Sequence, residues 1–376
     1  MLLIVASVLF TLSLLNVAKA PAWSSWKLAV VAGEYGHWFA AGSLLVAGSA
    51  WLLRGEQFVL AAVTLGIAVA ATVFLSKPAF QAWQVSRELP RLLSAWPEAP
   101  PMNSKPFSVV ALFGGGERPS GVSVRRLIMP ENLPLDFYSA GRRPDGRLLP
   151  CVIVVHGGGW NSGDRSQIPH FNHWLAGRGY AVAAISYRLA PGNVWPAQRD
   201  DVLAAVTFLQ NRAAELGIDA ARIVLLGRSA GGQIALATAY AVTIPGVRGV
   251  IALYAPSDLI FGYVNTHEND MLKSPALMRQ FLGGAPEAAR TNYESASALF
   301  HVSERTPPSL LLHGENDALV WHRHSVRLDA RLAEKNVPHA FVSLPWATHA
   351  FDYNLDGPGG QITRYAIERF LAGVTR

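Results

Sequence analysis

The sequence predicts an α/β fold, with a mostly parallel sheet flanked by helices, preceded by about three transmembrane helices. Hydrophobic residues make up 51% of the 376 residues and charged residues only 15%, and three apolar stretches without any charge precede residue 77. This composition indicates that part of the chain lies in lipid. From about residue 107 onward, short strand patterns alternate with helical patterns, which is typical of a parallel sheet covered on both faces.

Three apolar segments are predicted to span a membrane, at about residues 1–18, 35–53 and 58–76. Each has roughly the 18 to 20 residues that a helix needs to cross the hydrocarbon core. Tryptophans lie near the ends of these segments: Trp23, Trp26, Trp38, Trp51 and Trp83. Amphipathic rings favour the headgroup region, which supports the membrane interpretation. The alternative, three buried helices of a soluble domain, is disfavoured by the length of the segments.

A second interpretation stays open for residues 1–20, because Ala18-Lys19-Ala20 resembles the cleavage site of a secretory signal. Such signals normally begin with basic residues, and none precedes this apolar stretch, so an uncleaved span is favoured.

The flanking charges predict the orientation of the three spans. The connector after the first span and the chain after the third share one face, which carries five of the six flanking basic residues. These are Lys19, Lys27, Lys77, Arg87 and Arg91, against Arg54 on the other face. The positive-inside rule then predicts a multi-pass protein with its globular part on the cytoplasmic side. Cleavage of the first segment would place the globular part outside instead.

Residues 88–106 contain five prolines and are predicted to form a linker without lasting regular structure. The chain is therefore divided into a transmembrane region at 1–87, this linker, and a globular domain at 107–376. The net charge of +6 is scattered, without a basic run, so no nucleic-acid partner is predicted. The single cysteine, Cys151, excludes an internal disulfide, and no metal or other cofactor is implied.

The globular domain alternates strand and helix patterns. Strands are predicted at 122–128, 133–138, 150–155, 180–186, 222–226, 249–253, 309–313 and 339–344. Helices are predicted at about 167–178, 200–214, 232–241, 323–335 and 361–373. The stretch 150–155 is continuously apolar, as expected of a central parallel strand. In such sheets, reactive side chains gather at the carboxyl ends of the strands.

Ser229 lies in the motif Gly-Arg-Ser-Ala-Gly, between a predicted strand and a predicted helix. A serine on such a tight turn is held in a strained backbone conformation with its hydroxyl exposed, which suits a nucleophile. Side chains at Gly227 and Gly231 would collide with the neighbouring strand and helix. The helix that follows directs N–H groups and its positive end towards developing negative charge.

The motif His156-Gly-Gly-Gly-Trp160 directly follows the central strand. Glycines let the backbone approach a substrate oxygen closely, so this loop, together with the N–H of Ala230, can stabilise an oxyanion. A flexible glycine turn is the alternative, and the presence of Ser229 in the same sheet disfavours it. His156 is interpreted as structural, because it holds the loop.

A nucleophilic serine needs a base, and the base needs an orienting carboxylate. Asp317 and His349 each lie in a loop just after a predicted strand, and the order Ser229, Asp317, His349 is typical of one hydrolase architecture. Glu315 and Asp352 are rival acids with less favourable positions.

Four pieces together resemble the α/β-hydrolase superfamily, and more narrowly its hormone-sensitive-lipase-like esterase branch: HGGGW, SYRLAP, GRSAGG, and HGENDALV with THAF. The resemblance covers roughly residues 120–376 and implies an α/β-hydrolase fold. It also implies that Ser229 attacks, His349 relays the proton and Asp317 orients it. The oxyanion hole would consist of the N–H groups of Gly158, Gly159 and Ala230, and no cofactor is required.

The chain departs from this family in two ways. Arg228 replaces the usual aspartate before the nucleophile, and its positive charge is expected to favour anionic or polar substrates. Arg228 and Trp160 are the candidate substrate-binding residues. Membrane segments also stand in place of the N-terminal cap helices of many relatives, so residues 257–307 are expected to cover the pocket as a cap or insert, or the pocket opens towards the bilayer.

The expected function is that of a membrane-anchored serine esterase or lipase that forms an acyl-enzyme. Its partners would be a small-molecule or lipid ester as substrate and the lipids of the membrane, and its oligomeric state is not predicted. An amidase, formamidase or peptidase using the same triad is the alternative within the enzymes. A non-catalytic binding protein on a hydrolase scaffold is the alternative from another class.

Overall fold

The computed structural model describes residues 1–55, 57–96, 105–114, 119–141 and 146–376. The strands are β1 (Ser123–Ile128), β2 (Pro134–Ser139), β3 (Leu149–Val155), β4 (Ala181–Ile185), β5 (Ile218–Arg228), β6 (Val247–Leu253), β7 (Ser309–Gly314) and β8 (His339–Leu344). The helices are α1 (Leu2–Ser13), α2 (Trp23–Glu34), α3 (Gly36–Leu52), α4 (Phe58–Leu92), α5 (Val109–Gly114), α6 (Pro169–Gly177), α7 (Ala197–Asn211), α8 (Ala213–Leu216), α9 (Ala230–Ala241), α10 (Leu259–Val264), α11 (Ser274–Leu282), α12 (Pro286–Ala296), α13 (Arg323–Glu334) and α14 (Pro358–Val374).

The strands form one sheet in the order β1-β2-β4-β3-β5-β6-β7-β8. Antiparallel pairing joins β1 to β2 and β2 to β4, whereas every pair from β4 to β8 is parallel. The predicted mostly parallel sheet is therefore confirmed. The two half-buried strand patterns at its start, 122–128 and 133–138, correspond to its antiparallel edge.

The alternation of side chains along β3 places one hydrophobic core on each face of the sheet. Cys151, Ile153 and Val155 pack in a core shared with α7 and α9, and Val152 and Val154 pack in a second core shared with α6 and α14. A strand covered on both faces has no solvent-facing positions, which explains why the whole stretch is apolar. This arrangement fixes β3 and β5, whose carboxyl ends carry the two glycine motifs.

Between β6 and β7, the segment expected to be a cap or insert contains the short helices α10, α11 and α12. Their buried side chains, among them Leu259, Met278, Phe281 and Tyr293, join the core on the α9 side of the sheet. These helices are short, and Gly283 and Gly284 separate α11 from α12. The sequence therefore contains no long amphipathic pattern from which the helices could be predicted.

The expectation of about three membrane spans is corrected to one candidate span. Within the described residues, α4 is the helix that is long and apolar enough to cross a membrane. Helices α1 and α3 have 12 and 17 residues, or about 18 and 26 Å, against the ~30 Å of a hydrocarbon core. The first apolar stretch ends early because the chain passes through a 3-10 turn at Leu14–Asn16 and then leaves the helix.

Helix α4 is 35 residues long and extends into the segment expected to be a linker. Residues 88–92 are helical even though Pro90 lies among them, whereas residues 97–104 lie outside the described residues. A proline removes one helical hydrogen bond, but Leu89 and Leu93 are buried against the hydrophobic core around α14, and this burial stabilises the helix. The candidate membrane helix therefore packs directly onto the globular domain.

Candidate active site

Ser229 occupies a sharp turn between β5 and α9, as the motif predicts. Its backbone has φ 53° and ψ −123°, a conformation that residues with a side chain rarely adopt. A Cβ at Gly227 would lie 2.2 Å from the carbonyl oxygen of Gly231, and a Cβ at Gly231 would lie 2.3 Å from the carbonyl oxygen of Val155. Both glycines are thus required by close approach of the turn, the helix and β3.

The loop after β3 bends so that its amides turn towards the same cavity. Gly158 and Gly159 have φ values of 128° and 59°, and a Cβ at Gly158 would lie 2.1 Å from the carbonyl oxygen of Ser162. The N–H of Gly157 donates to Gln167 at 2.8 Å, whereas the N–H groups of Gly158 and Gly159 have no acceptor within the described residues. Those two amides are therefore available to a substrate oxygen.

The third amide of the expected oxyanion hole belongs to Ala230. It is the first residue of α9, so its N–H has no partner within the helix. Ala230 also lines the cavity that Gly158 and Gly159 line.

His156 holds the glycine loop from behind. Its ring stacks on Tyr187 at 4.2 Å with an interplanar angle of 8°, and the Tyr187 hydroxyl donates to the His156 carbonyl. Burial lowers the pKa of His156, so the ring is neutral at physiological pH. These contacts agree with the structural role expected of this residue.

Asp317 and His349 form a buried hydrogen-bonded pair. Nδ1 of His349 lies 2.7 Å from Oδ2 of Asp317, and Oδ1 of Asp317 accepts the N–H groups of Leu319 and Val320 at 2.8 and 2.9 Å. Burial by itself raises the pKa of Asp317, but the electrostatic interaction with His349 and hydrogen bonds from His313 and His349 outweigh it, so the pKa of Asp317 lies well below its usual range. Asp317 is therefore an ionised acceptor that fixes the orientation of the imidazole.

The two rival acids have other partners. Glu315 accepts the hydroxyl of Ser343 at 2.7 Å. Asp352 accepts Nε of Arg228 at 2.5 Å and the hydroxyl of Tyr254 at 2.6 Å. Among the acids weighed, Asp317 is the one that bonds to His349.

The two substrate-binding candidates are more buried than the sequence suggested. Arg228 is 1% exposed, pairs with Asp352, and lies 4.4 Å over the Phe171 ring. Its charge is therefore balanced inside the protein. Trp160 stacks on Phe281 at 4.6 Å and donates its Nε1–H to Gln233. Both residues line the cavity, and both support its wall from within.

Tyr254, which sequence reasoning missed, forms the floor beneath the catalytic histidine candidate. Its ring lies 4.3 Å from that of His349, and its hydroxyl is bound to Asp352. Burial, followed by the charge of Asp352, raises the pKa of Tyr254 well above its usual value, so the hydroxyl stays protonated and donates. Its position directly after β6, at the carboxyl edge of the sheet, was the available sequence signal.

Ser229 and His349 line a single cavity of about 600 Å³. Its other walls are largely apolar and come from the loop after β7, from α10 and α11, and from the N-terminal region. The apolar lining includes Leu259, Phe261, Leu277, Met278, Leu319 and Trp321. Among the described residues, no group of three or more His, Cys, Asp or Glu side chains is placed to hold a metal ion.

The N-terminal region forms one wall of the cavity, which the sequence did not reveal. Trp23 and Trp26 both line it, and the ring of Trp26 lies 6.4 Å from that of His349. Nζ of Lys19 donates to the carbonyl oxygen of Asp317 at 3.1 Å. The segment that follows α1 therefore contacts both the acid and the base of the candidate triad.

Comparison with known proteins finds a matching family and esterase relatives. The BD-FAE family model matches residues 135–332, just over half of the chain. The probable carboxylic ester hydrolase LipM of Mycobacterium tuberculosis is 30% identical over 249 residues, which cover 62% of this chain and 57% of that protein. The chain matches 57%, 55% and 66% of the lengths of three such curated relatives, less than two thirds of each.

Solved structures show the same fold. A bacterial heroin esterase matches with a TM-score of 0.58 and 24% identity, covering 71% of this chain and 89% of that one. Esterase B from Lactobacillus Rhamnosis matches with a TM-score of 0.59 and 19% identity, covering 79% of this chain and 94% of that one. At these identities the likeness establishes the fold, and function is argued from the site.

Proposed function

Because the chain belongs to the BD-FAE family, within the esterase branch of the α/β-hydrolases, we propose that it is a membrane-anchored serine carboxylic ester hydrolase. The observation that carries this proposal is the convergence on one cavity of a strained serine, a histidine paired with a buried carboxylate, and unpaired amides. These are the parts that acyl transfer requires.

In the proposed reaction, Oγ of Ser229 attacks the ester carbonyl carbon while Nε2 of His349 takes the serine proton. The carbonyl oxygen becomes an oxyanion that accepts the amides of Gly158, Gly159 and Ala230. Collapse of the tetrahedral intermediate breaks the bond to the alcohol oxygen, which takes the proton from His349. Water, deprotonated by the same imidazole, then attacks the acyl-enzyme, and the acid leaves as Ser229 recovers its proton.

Asp317 acts through the imidazole in this scheme. Its carboxylate accepts the Nδ1 proton of His349, which leaves Nε2 free to serve as the base and stabilises the imidazolium formed in each half-reaction. Its backbone hydrogen bonds hold it in place for this task.

The membrane anchor of the proposal is α4, with α1 and α3 packed against it. Only 22% of the most apolar 18-residue stretch of α4 is buried, which favours contact with lipid over the core of a soluble domain. Its contacts with α1 and α3 use small residues, Ala6, Ala40, Ala47, Ala68 and Ala71. Close packing of small side chains is a usual way for helices to associate in lipid.

A cytoplasmic location of the hydrolase part is proposed from the charges on either side of the apolar stretch of α4. Lys77, Arg87 and Arg91 lie on the side that continues to the hydrolase, and Arg54 precedes the helix. A reporter fused after Arg376 tests this location, because signal from an externally active reporter would contradict it.

The proposed substrate is a hydrophobic or lipid-like ester, because the cavity is lined largely by apolar and aromatic side chains. A panel of acyl esters of graded chain length, with matching anilides, tests the activity on detergent-solubilised full-length protein. We expect the esters to be hydrolysed by the wild-type chain and not by Ser229→Ala. A serine-directed fluorophosphonate should label the wild-type chain alone. Equal turnover by both chains would rule out the mechanism, and turnover of anilides alone would point to an amidase.

A further inference from the structure

We propose that the N-terminal region is part of the active site, and that Trp23 and Trp26 form the subsite for the alcohol portion of the ester. This inference rests on the proposed esterase function and names a substrate class, namely esters of long-chain apolar alcohols that reside in the membrane. The membrane helix then does more than hold the enzyme near lipid, because the segment beside it binds the part of the substrate that leaves first.

The chemistry determines where the alcohol must lie. His349 returns its proton to the departing alcohol oxygen, so the alcohol portion lies beside the imidazole. Two aromatic rings flank that imidazole. Tyr254 is 3% exposed and bound to Asp352, so it closes the inner side. Trp26 is half-buried, and its neighbour Trp23 is 44% exposed, so the path from the imidazole to the surface passes these two rings.

The two tryptophans form one continuous wall. Their ring centroids are 4.7 Å apart, and both rings face the cavity that contains Ser229. A flat apolar surface of this kind favours an alkyl chain over a small or charged alcohol, because burial of each methylene is favourable.

The wall is held rigidly relative to the catalytic loops. At one end, Lys19 donates to the carbonyl of Asp317. At the other end, the side chain of Glu34 accepts the N–H of Gly359 at 2.9 Å, and Nδ2 of Asn354 donates to the Glu34 carbonyl at 3.0 Å. The segment from 19 to 34 is therefore tied to the loop of the acid and to the loop after the base, and it is a fixed part of the site.

The subsite opens beside the apolar helices. Asn16, at the end of the 3-10 turn after α1, donates to the carbonyls of Ala32 and Phe74, and Lys77 donates to the Asn16 carbonyl, so polar contacts mark this end of the helix bundle. Beyond this level, α3 and α4 expose large apolar side chains, including Leu44, Leu45, Phe58, Val59, Val63 and Val73.

The residues just after Asn16 have the composition of a bilayer interface. Nζ of Lys27 lies 5.9 Å over the ring of Trp23, and Trp and Lys are typical of the headgroup level. An alcohol anchored in the bilayer would therefore reach the tryptophan pair without leaving the membrane.

The test compares two esters with the same acyl group, ethyl butanoate and hexadecyl butanoate, on full-length protein in phosphatidylcholine vesicles, with release of butanoate as the measurement. Trp26→Ala should lower kcat/KM for the hexadecyl ester about tenfold and for the ethyl ester by less than about twofold. Trp26→Phe should fall between Trp26→Ala and wild type for the hexadecyl ester. Trp51→Ala is the matched control, because Trp51 is an exposed tryptophan at the far end of α3, and it should leave the ratio unchanged. An equal loss for both esters in Trp26→Ala would overturn the inference.

A second measurement needs no turnover. Hexadecanol that carries a diazirine beside its hydroxyl is photolysed with Ser229→Ala protein in the same vesicles, and the labelled peptides are identified by mass spectrometry. Label on the peptide that contains Trp23 and Trp26 supports the subsite, and label confined to α10 and α11 overturns it. Ester hydrolysis that survives in Ser229→Ala would instead refute the proposed function, and the position of the label would still decide the subsite.

Discussion

Replacement of Glu34 by glutamine is expected to remove a pH-dependent loss of stability at the junction between the N-terminal region and the hydrolase part. Glu34 is 2% exposed and lies against the backbone of the loop after His349. Burial raises the pKa of Glu34 from 4.5 to about 8, because the desolvation of the carboxylate outweighs the hydrogen bonds from Gly359 and Gly360. The group is therefore mostly protonated in the folded chain at neutral pH.

The sign and size of the effect follow from this difference. The folded chain holds the proton more tightly than the unfolded chain, so stability is greatest below pH 4.5 and is lost as the pH rises through about 8. At 1.36 kcal/mol per pKa unit, the full effect is roughly 5 kcal/mol, of which about 3–4 kcal/mol falls between pH 5 and pH 8. Glutamine has nearly the same shape and does not titrate, so Glu34→Gln should lack this dependence.

Thermal unfolding in detergent at several pH values between 5 and 8 measures this difference. Relative to Glu34→Gln, the wild-type melting temperature should fall by roughly 5–10 °C more across that range. Glu88→Gln is the matched control, because Glu88 is an exposed glutamate in the same region, and it should follow the wild type. Parallel curves for wild type and Glu34→Gln would refute the assignment of the buried carboxyl as the cause.

Three further predictions concern the candidate site. Asp317→Asn should lower kcat at least about a thousandfold without loss of fold, since the imidazole of His349 loses its orienting acceptor; Asp352→Asn should cost far less activity, and the reverse order would exchange their roles. Gly231→Ala places a Cβ 2.3 Å from backbone oxygens of the neighbouring strand, so soluble folded yield should collapse, and normal expression and melting would contradict the close packing. Lys19→Met removes the donor to the Asp317 carbonyl, so kcat should fall about threefold to tenfold with KM unchanged, and a rise in KM alone would indicate a binding role.

Local patterns were sufficient to predict the sheet and to select the candidate triad. A continuous run of apolar residues identifies a buried strand such as β3, because both of its faces are covered. The glycines at 227 and 231 mark the turn at Ser229, because there is no room for a Cβ at either position. The loops of Asp317 and His349 could be selected because residues at the carboxyl ends of parallel strands meet at one edge.

Contacts between residues far apart in the sequence could not be predicted, because local patterns carry no information about them. Arg228 was expected to present its charge to the substrate, but Asp352 lies 124 residues away in the sequence and pairs with it inside the protein. Nothing near Arg228 in the sequence indicates that partner. The wall formed by Trp26 beside His349 is a contact of this kind as well, and the local signal at Trp26 pointed only to a membrane interface.

The length of α4 joins its exposed apolar stretch to the hydrolase part. A single helix of 35 residues passes from the exposed apolar stretch that begins at Phe58 to the buried contacts of Leu89 with the core around α14. The hydrolase end of this helix is fixed by packing, because Leu89 and Leu93 are buried in the core around α14. If α4 is the membrane anchor that we propose, this packing would hold the cavity in one orientation relative to the bilayer. In the proposed subsite, an ester that lies along the lipid chains would present its carbonyl to Ser229 with its alcohol portion towards the tryptophan wall.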